Sequence, residues 1–406
     1  KVWSKTSADT RAAVLLDALD RVALRFFEIA YATMHTTGQS FMMSFQASGP
    51  HANDRALEVL SMAYHELNRF PSDVTWVKNM GKFDLTLQKN YKAIPKGVAL
   101  VIGCSTFPTW NTVPGLFGSL MTGNASIVKP HPKSVLPIAI VVAEMQKALV
   151  AAGLPVSVVQ LGVDTLDHPI TKELAEDSAV KLIDYTGGSA FGDYIESLEG
   201  KTVFTEKAGV NSVILDSVVD ANAVFGNLAF AASLYSGQMC TTTQNIYIPK
   251  HGVSTPDGII SFDDVCTKLK EKVDALVYNE KMGPGTLGAL HSPAVKERVE
   301  KARNLGLTII RDSESVSQHS FDQALSYSPL ILKAESADQS IINEEWFGPI
   351  SFMIPVDDIS AGLQAMKQSI IKHGALTALV HLKQEQLISE ATEQLIDAGV
   401  NISFNL

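Results

Sequence analysis

The chain has only three cysteines in 406 residues, Cys104, Cys240 and Cys266, and they are scattered. That is too few for a disulfide framework or a zinc cluster, so a reducing compartment is expected and no metal site. Positive charge is also in deficit: Lys and Arg total 33 against 43 Asp and Glu, a formal net charge of −10. A binder of phosphate backbones would carry the opposite balance or a dense basic stripe, and with neither present nucleic acid is not an expected partner. No charged-then-apolar leader opens the chain, and no uninterrupted apolar run approaches the roughly 18 residues of a membrane span. The most apolar stretch, residues 135–150, is broken by Glu144, Gln146 and Lys147. The expectation is a cytoplasmic protein with no membrane partner. Internal repeats and Pro- or Ser-rich linkers are missing too. What is there is 46% hydrophobic and 19% charged. That suffices for large buried cores, and the length suits two domains.

Apolar residues three and four apart predict helices over residues 15–31 and 54–70. Shorter polar–apolar alternation over 79–94 predicts an exposed hairpin or extended arm. From Gly97 onward, short apolar strands (98–103, 125–128, 156–161, 180–184) take turns with helices (113–121, 137–151, 190–198). A second run starts near Asn211. Its strands are 213–215, 245–248, 307–310, 350–354 and 376–382, and its helices 221–235, 263–276, 293–305, 359–372 and 384–398. Such alternation indicates parallel sheets covered on both faces, in two α/β domains joined near residue 209.

Four segments stand out chemically. Cys240 sits in Ser236-Gly237-Gln238-Met239-Cys240-Thr241, a turn between helix and strand. A lone cysteine is usually a small buried hydrophobe. In such a turn, however, a thiol can be exposed at a sheet edge beside backbone N–H groups that stabilise an oxyanion, and its thiolate is a nucleophile. Glu206, in Phe204-Thr205-Glu206-Lys207-Ala208-Gly209, ends a strand, and taken alone it reads as a solvated loop carboxylate. The turn Thr186-Gly187-Gly188-Ser189-Ala190-Phe191-Gly192 can set a phosphate against a helix N-terminus, or serve only the connection. Asn343-Glu344-Glu345-Trp346-Phe347-Gly348-Pro349 is an acidic-aromatic turn entering a strand.

Together, and in their order along the chain, these segments resemble the aldehyde dehydrogenase superfamily over nearly the whole chain. The resemblance implies two Rossmann-like parallel α/β domains: a dinucleotide-binding domain (1–81 and 95–208) and a catalytic thiol domain (209–406). It also implies a protruding oligomerisation arm at 82–94, and so a homodimer or homotetramer. Glu206 and Cys240 are 34 residues apart, like the family's general base and nucleophile. Gly187 through Gly192 matches the turn that opens the cofactor-binding helix, with Gly188 where serine is usual. Gly123-Asn124 through Val128-Lys129-Pro130 matches the strand whose lysine holds the adenosine ribose. The last motif implies Glu345 on the nicotinamide ribose and Phe347 beside the ring, and Gly209 belongs to the same cofactor set. Phe107-Pro108-Thr109-Trp110, Val128-Lys129-Pro130-His131-Pro132 and Gly209-Val210-Asn211-Ser212 look like the phenylacetic acid degradation branch, PaaN and its relatives. Its members act on an open-chain semialdehyde carried on coenzyme A.

The implied reaction is NAD(P)-dependent oxidation of a small aldehyde to an acid, through a thioester on Cys240 that Glu206 helps water to hydrolyse. By its spacing of 23 to Lys129, Thr106 takes the place of the family's oxyanion asparagine. Aligning Asn111 there would break the Phe-Pro match. A poorly aimed oxyanion donor costs on the order of 3 kcal/mol. Phe107, Trp110 and Asn111 then line the substrate tunnel, although Trp110 fits a core role equally well. Where NAD-preferring relatives carry an acid, this chain has Pro132, flanked by His131 and Lys133. No carboxylate opposes a 2′-phosphate there, so NADP is expected over NAD. The family continues past residues 401–404 with a glycine-rich segment and a terminal strand, so a fragment of a longer protein is expected. Two rivals remain: release of the thioester to coenzyme A, and a catalytically weak nucleotide-binding or structural homologue.

Overall fold

The computed structural model describes residues 1–207, 209–318 and 321–406. Ala208, in the glutamate motif and at the end of the expected first domain, lies outside the described residues. Two compact units emerge: Lys1–Thr36 with Ser44–Glu206, and Thr37–Met43 with Lys207–Leu406.

In the first unit, five short strands form a parallel sheet in the order Val159–Leu161, Ala125–Lys129, Val98–Ile102, Val180–Thr186, Thr202–Glu206. The central strand, Val-Ala-Leu-Val-Ile, is apolar at every position because helices cover both faces. Its alternation splits it between two cores. Val101 packs among residues of the helices Ala8–Ala23, Pro108–Met121 and Val135–Ala151, while Leu100 and Ile102 pack with Ile183, Tyr185 and Ile195. The helix Pro108–Met121 begins earlier than the apolar period suggests, because Pro108 presets the first turn. It is anchored where the buried Trp3 indole donates to the Leu120 carbonyl at 3.0 Å. The helix expected over 15–31 is two helices, Ala8–Ala23 and Phe26–Thr37.

Two further expectations change. The strands Asp73–Asn79 and Asp84–Asn90 form an antiparallel hairpin with every residue exposed. The arm expected at 82–94 therefore starts at Asp73, and its first strand falls inside the stretch assigned to the first domain. Among the described residues, the helix Pro132–Ala151 is also long and apolar enough to cross a membrane. In this unit it supplies core residues Ile138, Val141, Met145 and Leu149. Its Glu144, 5% exposed, is neutralised by Arg25 and by Lys147 at 2.8 Å.

The second unit holds a seven-stranded sheet in the order Thr308–Arg311, Leu330–Lys333, Ile350–Val356, Asn245–Pro249, Ser212–Leu215, Thr377–His381, Asn401–Phe404. It is parallel except at its first edge, where Thr308–Arg311 runs antiparallel to Leu330–Lys333 with a bulge between Ile309 and Arg311. The bulged strand carries the buried Arg311, whose guanidinium meets Asp274 at 2.8 Å, the Pro329 carbonyl at 2.7 Å and the Ser328 hydroxyl at 2.9 Å. Residues 37–43 join this unit because the Tyr235 hydroxyl donates to the Thr37 carbonyl and the Ala289 N–H to that of Gly38, each at 2.7 Å.

His381, at the end of a sheet strand, is 2% exposed, and burial lowers its pKa to about 4. The folded state therefore binds fewer protons than the unfolded state between about pH 6.5 and 4, so stability is lost as pH falls through that window. Urea unfolding should show a loss of up to about 2 kcal/mol between pH 6.5 and 5, and His381→Asn should flatten that slope.

Candidate active site

In the first unit the site grows from the C-terminal ends of two neighbouring strands. Thr186 and Glu206 are register partners, and the Gly187 N–H donates to the Glu206 carbonyl at 3.0 Å. This is where ligands sit in open parallel sheets. The turn that follows is close-packed: a Cβ on Gly187 would stand 2.4 Å from the Tyr185 hydroxyl, which itself donates to the Gly188 carbonyl at 2.8 Å. Gly188 caps the helix Ser189–Glu196, and a Cβ there would meet nothing within 4 Å. Serine would fit equally well, so the departure from the family's usual residue is sterically neutral. The Gly192 N–H closes the first helical turn on the Gly188 carbonyl at 3.1 Å.

The Glu206 carboxylate faces a cavity of about 350 Å³, lined also by Trp110, Asn111, Gly115, Asp184 and Phe204. Asn111 does more than line it. Its amide nitrogen lies 3.4 and 3.5 Å from the two Glu206 carboxylate oxygens, and its amide oxygen accepts from Cys104 Sγ at 3.5 Å. Burial pushes the Cys104 thiol up, which keeps it a protonated donor. Thr106 sits beside that sulfur, hydroxyl to Sγ 3.8 Å. Trp110 also packs on the His51 ring, centroids 5.8 Å apart, while Phe107 is 7% exposed and lies off this cavity.

Lys129 ends its strand almost fully buried, with Nζ 2.7 Å from an equally buried Asp164 carboxylate oxygen and 2.7 Å from the Pro130 carbonyl. The other Asp164 oxygen accepts the Ile170 N–H at 3.1 Å. Sequence reasoning missed this carboxylate because it follows a different strand. His131 Nδ1 accepts the Lys133 N–H at 3.2 Å, and burial with repulsion from Lys129 and Lys133 lowers the His131 pKa. Near neutral pH it is therefore uncharged.

In the second unit, the helix Ala221–Ser233 does not run on to Tyr235 as its apolar content suggests. Tyr235, Ser236 and Gly237 adopt left-handed φ values of 51°, 50° and 64°. For the two non-glycines this conformation costs roughly 1–2 kcal/mol each. Buried hydrogen bonds hold it. The Ser236 hydroxyl donates to the Gly288 carbonyl at 2.9 Å. The Gln238 amide donates to the Tyr235 and Ala289 carbonyls, each at 3.0 Å, and accepts the His291 N–H at 2.7 Å. Gly237 is obligatory, since a Cβ there would stand 2.2 Å from the Gly348 carbonyl oxygen. Asn211 completes the frame. Its amide donates to the Cys240 carbonyl at 2.7 Å and to that of Thr242 at 3.3 Å, and it accepts the Leu376 and Thr377 N–H groups at 3.0 Å. Cys240 is thereby held half-buried on the turn, outside any disulfide.

Gly209, Glu345 and Phe347 line one small cleft with Gly237 and Met239. Burial raises the Glu345 pKa, while the Gly209 N–H and the Arg298 charge oppose the rise. Arg298 also donates to the Phe347 carbonyl, which fixes the turn. Of the residues that frame Cys240, Gln238 and Tyr235 had no signal beyond the motif itself. Gln238→Ala should strand its buried partners, destabilise by about 2–3 kcal/mol, and change the rate at which iodoacetamide alkylates Cys240. Thermal unfolding and timed alkylation with peptide mapping measure both effects.

Comparison with known proteins follows this geometry. The pattern of the aldehyde dehydrogenase family matches residues 1–405. A 2,5-dioxopentanoate dehydrogenase of Saccharolobus solfataricus is 24% identical over 98% of this chain and 78% of its own length. An NADP-dependent glyceraldehyde-3-phosphate dehydrogenase of Streptococcus equinus is 25% identical over 86% of this chain and 69% of its own. Among solved structures, an NAD-dependent aldehyde dehydrogenase from Burkholderia multivorans superposes with a TM-score of 0.95. It is 42% identical and is matched over 100% of this chain and 73% of its own. The glyceraldehyde-3-phosphate dehydrogenase GapN of Methanocaldococcus jannaschii, solved with NADP, shares the fold at a TM-score of 0.77 and 18% identity, over 100% of this chain and 82% of its own. With its ordered motifs, two mainly parallel α/β sheets and a match over all but its last residue, the chain belongs to the aldehyde dehydrogenase family, the NAD(P)-dependent oxidoreductases that act on aldehydes.

Proposed function

We propose that the chain oxidises an open-chain semialdehyde to its carboxylic acid, with Cys240 as nucleophile and Glu206 as the base of deacylation. The observation that carries this reading is the Glu206 carboxylate, aimed into a cavity and in long contact with the Asn111 amide, in a chain that also builds a strained, hydrogen-bonded turn for Cys240. The Cys240 thiolate adds to the carbonyl carbon and places the negative charge on oxygen, where the Cys240 N–H and the Thr106 hydroxyl serve as oxyanion donors. When bound, the nicotinamide supplies acceptance of the hydride. Glu206 then takes a proton from water as the water oxygen bonds to the thioester carbon. The C–S bond breaks and the thiolate is restored. Retention of Glu206 supports water over coenzyme A as acceptor.

A dinucleotide suits the residues present. The start of the helix Ser189–Glu196 is open beyond Gly188, Lys129 is oriented by Asp164, and Glu345 is held by the Gly209 N–H. Lys129, Gly187, Gly188, Gly192 and Glu345 would hold it, with Phe347 beside the ring. The NADP preference rests on fewer cations than the sequence suggests. Lys129 is paired with Asp164 and His131 is neutral, while Pro132 puts no carboxylate in the way of a 2′-phosphate. The semialdehyde class draws support from the names of relatives, among them a 2-aminomuconic 6-semialdehyde dehydrogenase of a Pseudomonas species at 25% identity. The three segments shared with the phenylacetic acid degradation branch point to a substrate carried on coenzyme A. A reducing cytoplasm fits the three thiols.

Stopped-flow assays with a panel of semialdehydes test the reading. Cys240→Ala should abolish reduced-cofactor formation, and Glu206→Gln should keep a burst of one equivalent and then stall. Wild-type turnover should not need coenzyme A, and kcat/KM for NADP and NAD should agree within about tenfold. Dependence on coenzyme A, or no burst in Glu206→Gln, would contradict the mechanism.

The hairpin Asp73–Asn90 exposes Val74, Trp76, Val77 and Leu87, and such an apolar strand pair is suited to a second copy of the chain. Replacing residues 73–90 by a short Gly-Ser linker should convert a dimer or tetramer to monomer in sedimentation velocity.

A further inference from the structure

Lys129 and Asp164 stand at the C-terminal ends of two neighbouring strands, Ala125–Lys129 and Val159–Leu161, which pair through Val128 and Leu161. The Gly162 N–H extends that pairing to the Val128 carbonyl at 2.8 Å, and the chain then turns so that Asp164 meets Lys129. Both carboxylate oxygens are engaged, one by Lys129 Nζ at 2.7 Å and the other by the Ile170 N–H at 3.1 Å. Asp164 and the Pro130 carbonyl take up two of the three ammonium N–H groups, which leaves one for a ligand hydroxyl. The side chains of Lys129 and Asp164 are 3% and 1% exposed, so salt screens this pair little. His131 feels the charges of Lys129, Lys133 and Asp164 together, which makes one electrostatic cluster of the four. Asp164 is the carboxylate in it. A lone buried ammonium attracts a phosphate over several ångströms. Cancelled at 2.7 Å, it acts as a dipole, whose field falls off faster.

We propose that Asp164 is a specificity-determining residue for the dinucleotide: by cancelling the charge of Lys129 it keeps the site from favouring a 2′-phosphate over a ribose 2′-hydroxyl. This rests on the reading of Lys129 as a cofactor residue given above. The negative charge that Pro132 does not supply thus comes from the neighbouring strand. With Asp164 in place, Lys129 still donates to a hydroxyl but offers a phosphate little net attraction. Without Asp164, a net positive charge stands in a poorly screened place, and a 2′-phosphate gains far more from it than a hydroxyl does. The Ile170 contact gives Asp164 a second role as an anchor of the loop that follows its strand. Loss of an anchor alone would weaken both dinucleotides alike, so the ratio of their affinities separates the two roles.

Isothermal titration of the full chain with NAD and with NADP, in the absence of aldehyde, tests this. In Asp164→Asn and Asp164→Ser the ratio of the NAD to the NADP dissociation constant should rise about tenfold over wild type. In thermal unfolding, 2′-AMP should raise the Tm of either variant more than 5′-AMP does, and should have no such advantage with wild type. Lys129→Met combined with Asp164→Asn removes both charges and leaves no buried ion unpaired, so the chain should fold. This double variant should bind both dinucleotides more weakly, at a ratio close to that of wild type. A ratio unmoved in both Asp164 variants, with weaker binding of both dinucleotides in the double variant, would overturn the role of Asp164 alone. Unchanged binding of both dinucleotides in the double variant would overturn the reading of Lys129, and this inference with it.

Discussion

Left-handed backbone at Tyr235, Ser236 and Gly237 governs where the Cys240 thiol stands. An α-helix running on through these residues would carry the cysteine round with the helical turn. Instead the chain leaves Ser233, reverses, and presents the thiol from a loop pinned by Gln238 and Asn211. Two non-glycine residues in this conformation cost a few kcal/mol together. The Tyr235 hydroxyl, Ser236 hydroxyl and Gln238 amide offset that cost with buried hydrogen bonds, each worth about 1 kcal/mol and much more expensive to leave unmade. Strain of this kind holds one geometry, which a nucleophile needs for approach to a carbonyl carbon.

The first unit carries the carboxylate proposed as the base. Glu206 closes a sheet strand, so its backbone is fixed by the register with Thr186 and by the Gly187 N–H. Its side chain is then free to be tuned by what faces it. Asn111 supplies a weak, long amide contact, and Asp184 stands on the same cavity wall. A tight ion pair would hold Glu206 ionised and weaken it as a base. No cation among the described residues makes one, and Arg55 is occupied by Glu58. The Lys129–Asp164 pair shows the contrasting arrangement, a buried lysine held by a buried carboxylate. Removing either partner would leave an uncompensated charge.

Much of this was legible in the sequence because it is local. Strand runs such as Val98–Ile102 and motif turns around Cys240, Gly187 and Glu345 are written in consecutive residues. The parts that were not legible depend on distant pairings. Leu330–Lys333 is a four-residue strand flanked by Pro329, too short to show a period, and it exists because Ile350–Val356 is there to pair with it. Residues 37–43 leave the first unit because of hydrogen bonds to Tyr235 and Ala289, far along the chain. Asn111 looked like tunnel lining, since its contact with Glu206 spans 95 positions. The hairpin's first strand was absorbed into a domain because alternation without burial has no core to mark its edge.

The proposed reaction turns on a covalent bond at a single sulfur, and intact-protein and peptide mass spectrometry can observe that bond directly. The protein carrying Glu206→Gln, mixed with NAD(P) and a reactive aldehyde and quenched in acid, should gain one acyl group on the peptide that contains Cys240. That gain should appear together with one equivalent of reduced cofactor. An acyl group found on Cys104 or Cys266, or reduced cofactor formed with no adduct on any cysteine, would contradict nucleophilic catalysis by Cys240.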